Sequence, residues 1–431
     1  MTVAEPTREW DQNRWAIRFF TIWTGQTFSL LGSGVVQFAL VWWLTLTTGS
    51  ATALAGATLV ATLPQIVLGP FAGPLVDRWN RRVIMIVADG IIALATLGLI
   101  GLYSIGAMQV WHIYAAMLIR AAATAFHLPS MQASTALMVP KAQLSRVAGL
   151  NQTLHGVTSI ASPALGALLL SLFELRAALA VDVVTAAIAI LPLLFIAIPQ
   201  PPRREAAVAG RSSFGRDLRE GVQYVRGWPG LMAILVMAML INFLLTPAYS
   251  LLALLVKDQL RGDAGLLATI EALFGIGVIA GGVILGAWGG FRRRIVTAMM
   301  GLIGLGVGCI LLGLTPAEAV WIAIIGALLG GAMESMTNGS LGAVLQAAVA
   351  PEMMGRVMSL ITSLATAMTP IGLLFAGPIS DALGVRVWYV VGGGVCALMG
   401  VAGFFMPVVM RVEDQRAPEE SEMTATVEQF T

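Results

Sequence analysis

Read from its N-terminus, the chain is a succession of apolar stretches separated by short polar breaks. The stretches fall at about 18–46, 52–72, 83–104, 109–135, 147–172, 177–197, 230–255, 266–288, 295–314, 317–345, 357–379 and 386–409. A helix needs ~20 apolar residues to cross the hydrocarbon core of a bilayer. The pattern therefore predicts an all-α membrane protein with twelve transmembrane helices. The longest internal polar stretch, 200–229, divides the spans six and six. It opens as PQPPRREAAVAGRSS, the composition of a flexible linker. It continues as FGRDLREGVQYVRGWPG, where Phe214, Leu218, Val222 and Val225 recur at helical spacing and predict a helix at the membrane interface. The expected organisation is a polar segment 1–17, a six-helix half 18–199, the linker 200–229, a second half 230–410, and an acidic, polar, disordered tail 411–431.

Composition and charge sharpen this picture. Hydrophobic residues make up 58% of the chain and charged residues 11%. A soluble domain carries about a quarter charged residues, so a large soluble helical protein is excluded. With the N-terminus in the cytoplasm, 20 of the 25 lysines and arginines fall in inner segments. Only Arg176, Lys257, Arg261 and Arg386 fall outside, and Arg120 lies within a span. That bias predicts a multi-pass protein of the cell's inner membrane with both termini cytoplasmic. Cys309 and Cys396 sit in apolar runs, as small core residues do.

The two halves echo one another. VPKAQLSRVAGLNQ and APEMMGRVMSL, SPALGALL and TPIGLLFA, and LGPFAGPLVDRWNRRV and LGAWGGFRRRIV occur in matching places. Such repetition suggests two pseudo-symmetric six-helix halves, an arrangement common among secondary transporters. Within the last pair, Gly73, Asp77, Arg78, Asn80, Arg81 and Arg82 resemble the signature between the second and third helices of the major facilitator superfamily, with Asn80 in place of its second glycine. On the fifth span, Gly149, Pro163 and Gly166 resemble the superfamily's antiporter motif. Stretches 25–51, 63–89 and 126–152 are similar to the macrolide-efflux branch of its proton-coupled drug exporters. The resemblance implies export of a bulky amphipathic compound, macrolide-like, in exchange for protons. It also implies a cytoplasmic gate in which Asp77, supported by Asp89, latches onto the start of the eleventh span. Export of an endogenous metabolite such as a siderophore, lysolipid transport, and a non-transporting receptor or scaffold remain alternatives. Asn80 in the glycine position predicts a left-handed residue there.

Ionisable groups inside spans are costly, about 2.5–3.5 kcal/mol at the centre on insertion scales, so each is a candidate for function. Glu334, Glu271, Arg120 and Asp182 are the candidates for proton coupling. Arg120 stays charged and acts on a carboxylate rather than releasing a proton itself. Asp182 has Arg176 as a local partner. Gln26, Ser29, Ser33 and Gln37 share one face of the first span. With His127 and Gln132 on the fourth span, and Asn151, Gln152 and His155 on the fifth, they are candidates to line a substrate cavity. Hydrogen bonding between helices is the competing reading. No phosphate-binding loop, metal-ligand spacing or catalytic motif is present. The expected partners are a small amphipathic molecule, protons and the bilayer, with no cofactor and no nucleic acid. A monomer is expected.

Overall fold

The computed structural model of the protein describes residues 15–200 and 221–414. Among these, the long elements are twelve helices. They are α1 Trp15–Thr48, α2 Ala51–Arg78, α3 Arg81–Ser104, α4 Val110–Met138, α5 Leu144–Leu172, α6 Leu175–Phe195, α7 Pro229–Ser250, α8 Ala264–Trp288, α9 Arg294–Leu314, α10 Val320–Ala348, α11 Pro351–Leu383 and α12 Arg386–Phe405. The described residues form no strand. Eleven of the helices are long and apolar enough to cross a membrane. The other, α4, is long enough but carries His112, Arg120, His127 and Gln132 along its length. The chain separates into two compact units. One comprises Met1–Trp43 and Val60–Ala207, the other Leu44–Leu59 and Val208–Thr431.

In the first unit, α3 packs against both α4 and α6. One end of this unit is held by a cluster of Phe19, Ile22, Met85, Met138, Val147 and Leu193. The second unit has an apolar cluster of its own, around Leu231, Ile295, Met299 and Val357, and elsewhere glycines bring its helices together. A Cβ on Gly308 of α9 would lie 2.7 Å from the Gly326 carbonyl of α10. One on Gly306 would lie 2.4 Å from the Gly393 carbonyl of α12, and one on Gly331 would lie 2.0 Å from the Phe274 carbonyl of α8. Helices that gain nothing from expelling water associate through this kind of close backbone approach. Cys309 and Cys396 are free and buried in the same region.

Two local expectations are revised. Asn80 is not left-handed: its φ is −70° and its ψ 109°. It is the N-cap of α3, its side chain accepting from the amides of Arg82 and Val83 at 3.0 and 3.4 Å. Asparagine therefore stands there for its acceptor oxygen rather than its tolerance of positive φ. In the corresponding turn of the other half, Gly289 and Gly290 take positive φ, at 80° and 78°. Of the tail expected to be disordered from Arg411, the described residues Arg411–Asp414 form a turn. Val412 is buried, Glu413 accepts from the Ile295 amide at the start of α9 (2.7 Å), and Asp414 pairs with Arg293. A carboxylate at a helix start meets unpaired amides and the positive end of the dipole, which holds the tail there. The interfacial helix enters the described region as a helical turn over 221–226. There Val225 is buried in the core of the second unit and Val222 packs against it. Phe214 and Leu218 lie outside the described residues.

The Asn80 cap gives a prediction. Asn80→Ala should destabilise the protein by about 1 kcal/mol, and Asn80→Gly by only a few tenths. Thermal melting in detergent should rank wild type, Gly and Ala in that order; a more stable Ala variant would show that the cap is idle.

Candidate functional site

Two carboxylates are buried in the first unit, Asp89 of α3 and Asp182 of α6, each 1% exposed. A bare carboxylate in a low-dielectric interior is strongly disfavoured, so the groups around each one matter. Asp182 is bonded by the Arg120 guanidinium of α4. It also accepts from Thr96 Oγ1 at 2.7 Å and Ser33 Oγ at 2.8 Å. The expected local pairing with Arg176 does not occur. Six residues apart on a helix are about 120° apart around its axis, and Arg176 is exposed while Asp182 points inward.

Asp89 is held differently. It accepts from Gln26 Nε2 at 3.1 Å and Ser29 Oγ at 3.2 Å, and His127 Nε2 lies 3.4 Å from its Oδ1. No arginine or lysine is among these partners. His127 is itself buried, and its Nε2 has no hydrogen bond of good geometry. The Asp89 charge is therefore offset within this group only when His127 carries a proton.

Helix geometry explains both groupings. Asp89 lies eight residues into α3, Gln26 eleven into α1, and His127 eleven from the far end of α4. At 1.5 Å per residue all three lie ~12–16 Å from the same end of the unit. Thr96, Ser33, Arg120 and Asp182 lie deeper by the same count, at ~20–27 Å. The result is two polar layers, one above the other. Gly32 lets α1 close in, since a Cβ there would sit 2.1 Å from Thr185 Oγ1 of α6.

Three members of the α1 stripe are thus committed to bonds between helices, and Gln37 is exposed. Asn151 accepts from Trp23 Nε1 at 2.7 Å. Gln132, Gln152 and His155 are exposed. On α5, which contains Pro163, Ser162 donates to the Leu31 carbonyl of α1 and Gly166 lies against Phe38. Gly149 has open space around it. In the signature turn, Arg82 donates to the carbonyls of Leu193 and Leu194 in the last turn of α6, the latter at 2.6 Å. A cation at a helix C-terminus satisfies free carbonyls and complements the dipole. Arg78 is exposed and Arg81 is buried. Gly73 belongs to α2, and the surroundings of the Asp77 side chain lie outside the described residues. Asp89, expected to support that turn, is instead buried with Gln26, Ser29 and His127.

The second unit holds a cavity of about 300 Å³ lined by Ile241, Asn242, Leu245, Thr246 and Tyr249 of α7, Leu305 of α9, and Glu334, Thr337 and Asn338 of α10. Tyr249 lies within hydrogen-bonding reach of Glu334. Glu334 is thus a carboxylate open to a cavity, with amide and hydroxyl groups beside it and aliphatic walls around it. That is the composition of a site for an amphipathic small molecule. Glu271 of α8 is partly buried and does not line this cavity.

The Asp89–His127 pair was not anticipated as a unit from the sequence. Its signal was the matched depth of two titratable residues on antiparallel neighbours.

Comparison with known proteins completes the description. The family model for transmembrane secretion effectors, MFS_3, matches residues 14–429. The chain belongs to this family, within the major facilitator superfamily. It is 36% identical over 383 residues to Macrolide efflux protein A of Streptococcus pyogenes, covering 88% of this chain and 94% of that protein. It is 24% identical over 393 residues to the multidrug efflux pump Tap of Mycolicibacterium fortuitum, covering 87% and 92%. Its fold is similar to the crystal structure of the nucleoside transporter NupG, with a TM-score of 0.65 at 13% identity over 88% of this chain and 97% of that one. The protein is thus a multi-pass membrane protein of a small-molecule transporter superfamily.

The two polar layers differ in a testable way. Asp182→Asn strands Arg120, which cannot lose its charge, and should cost about 3–5 kcal/mol. Asp89→Asn leaves His127, which can give up its proton, and should cost clearly less. Thermal melting of the two variants compares them directly; equal losses would refute the distinction.

Proposed function

We propose that this transporter exports bulky amphipathic compounds, macrolide-like in chemistry, from the cytoplasm by alternating access, in exchange for protons. The observation that carries this reading is the 36% identity to Macrolide efflux protein A along 94% of that protein. The Glu334 cavity supports it, because aliphatic walls with a few polar groups suit a large apolar molecule bearing scattered oxygens and an amine. Both termini face the cytoplasm in this reading, as the arginine and lysine bias requires.

Proton exchange needs a group that holds a proton in one state and releases it in another. Glu334 suits this role because no cation lines its cavity and the cavity gives it access to water and substrate. Asp89 suits it because its buried neighbour is His127 rather than an arginine or lysine. In the proposed cycle these groups take up a proton when open to the outside. They lose it to the cytoplasm when the site opens inward and substrate enters. Arg120 and Asp182 remain a fixed pair that holds α4 and α6 together through the cycle.

Transport of a labelled macrolide into inverted vesicles tests the proposal. Uptake should depend on an acid interior and collapse when the pH gradient is dissipated. Uptake indifferent to the gradient would remove proton exchange. Accumulation of lysolipid but not of macrolides or dyes would reassign the substrate. Glu334→Gln should abolish gradient-driven accumulation while leaving counterflow of pre-loaded substrate. Full accumulation by that variant would exclude Glu334 from coupling.

A further inference from the structure

The segment Leu44–Leu59, which contains the turn between α1 and α2, groups with the second unit. Two charged side chains hold it there. Lys257 Nζ donates to the carbonyl of Thr45, in the last turn of α1, at 2.8 Å. Asp381, near the end of α11, accepts from the amides of Ala51 and Thr52 at 2.6 and 3.1 Å and from Ser50 Oγ at 3.1 Å. The cation thus meets the negative end of one helix and the anion the positive end of the next. Between them, Gly49 turns the chain with a φ of +57°.

Asp381 is not placed for its own helix. Asp381 lies in the last turn of α11, the unfavourable end for an acid. Lys257 belongs to a π-helical turn, Leu255–Gln259, a rare form concentrated at functional positions. The backbone contact is equally specific, since a Cβ on Gly377 would lie 2.7 Å from the Cα of Thr52. The sequence repeats itself here. Phe375, Ala376, Gly377, Pro378 and Asp381 on α11 have the same identities and spacing as Phe71, Ala72, Gly73, Pro74 and Asp77 on α2. The signature resemblance covers the α2 copy and says nothing of the α11 copy.

We propose that Asp381 and Lys257 are positioning residues that form a releasable clamp on the α1–α2 turn. Closed, the clamp seals the outer mouth of the transporter; it has to open whenever the substrate path faces outward. Asp381 is exposed and Lys257 partly so. Water competes for both, and the bonds can break and re-form in each cycle. The inference rests on the alternating-access reading and on the outward placement of this turn.

The test is accessibility of a single cysteine, Asn338→Cys, in the cavity lining. A membrane-impermeant maleimide is applied to right-side-out and to inverted vesicles, with the unsubstituted protein as blank because Cys309 and Cys396 are buried. Asp381→Asn and Lys257→Gln should each raise labelling from the outer face by about two- to fivefold, the range expected for losing one charge at a helix end. Asp381→Glu should return it towards the parent. High salt should raise outer labelling of the parent more than that of Asp381→Asn, which keeps only the Lys257 contact. Outer labelling unchanged or lowered in a monodisperse variant would overturn the clamp and leave Asp381 a static helix cap. The two substitutions lie on different elements, so if one variant misfolds the other still decides. The readout needs no substrate, so it stands apart from the outcome of the macrolide experiment.

Discussion

The contact between Arg120 and Asp182 sets the terms for the first unit. Neither group can sit alone in an apolar interior, and Arg120 cannot shed its charge to escape. Each must therefore be delivered to the other by its helix, α4 in one case and α6 in the other. Thr96 of α3 and Ser33 of α1 complete the shell around the carboxylate. Four helices are thus fixed in rotation and depth by one oxygen-rich point. The apolar side chains around it fill space, but they would accept other registers; the charge pair accepts one.

The second polar layer works under a looser rule. Asp89 has a histidine where Asp182 has an arginine, so its charge balance depends on a proton rather than on a permanent cation. Glu334 in the second unit has no cation among its cavity neighbours and opens onto free volume instead. Asp182, Asp89 and Glu334 thus represent three grades of intramembrane carboxylate: permanently paired, paired through a titratable ring, and open to a cavity.

Much of this was legible in the sequence. Twelve apolar stretches became twelve long helices, because length and hydropathy are properties of each segment alone. The signature turn was recognisable because its residues are contiguous. What one-dimensional reading missed were matters of rotation and of which acceptor wins. Arg176 is near Asp182 in sequence but on another side of α6. The face shared by Gln26, Ser29 and Ser33 was visible, but whether it turned to a cavity or to buried carboxylates depended on α3 and α6 lying beside it. Asn80 was read through its backbone preference, whereas its side chain is used as a cap. The signature arginines are contiguous in sequence but differ in setting: Arg78 is exposed, Arg81 is buried, and Arg82 is spent on the carbonyl end of α6.

The glycine seams of the second unit carry a consequence for how such a protein can change over generations. Where Gly308 faces Gly326 and Gly306 faces Gly393, backbone lies on backbone, and replacing any of these glycines drives a Cβ into a carbonyl. The seam tolerates almost no drift. The walls around Glu334 are different: Ile241, Leu245 and Thr246 end in open volume. Under the proposed function, heritable shifts in what the protein carries are channelled to a few positions on α7, while the helices behind them stay frozen as a chassis.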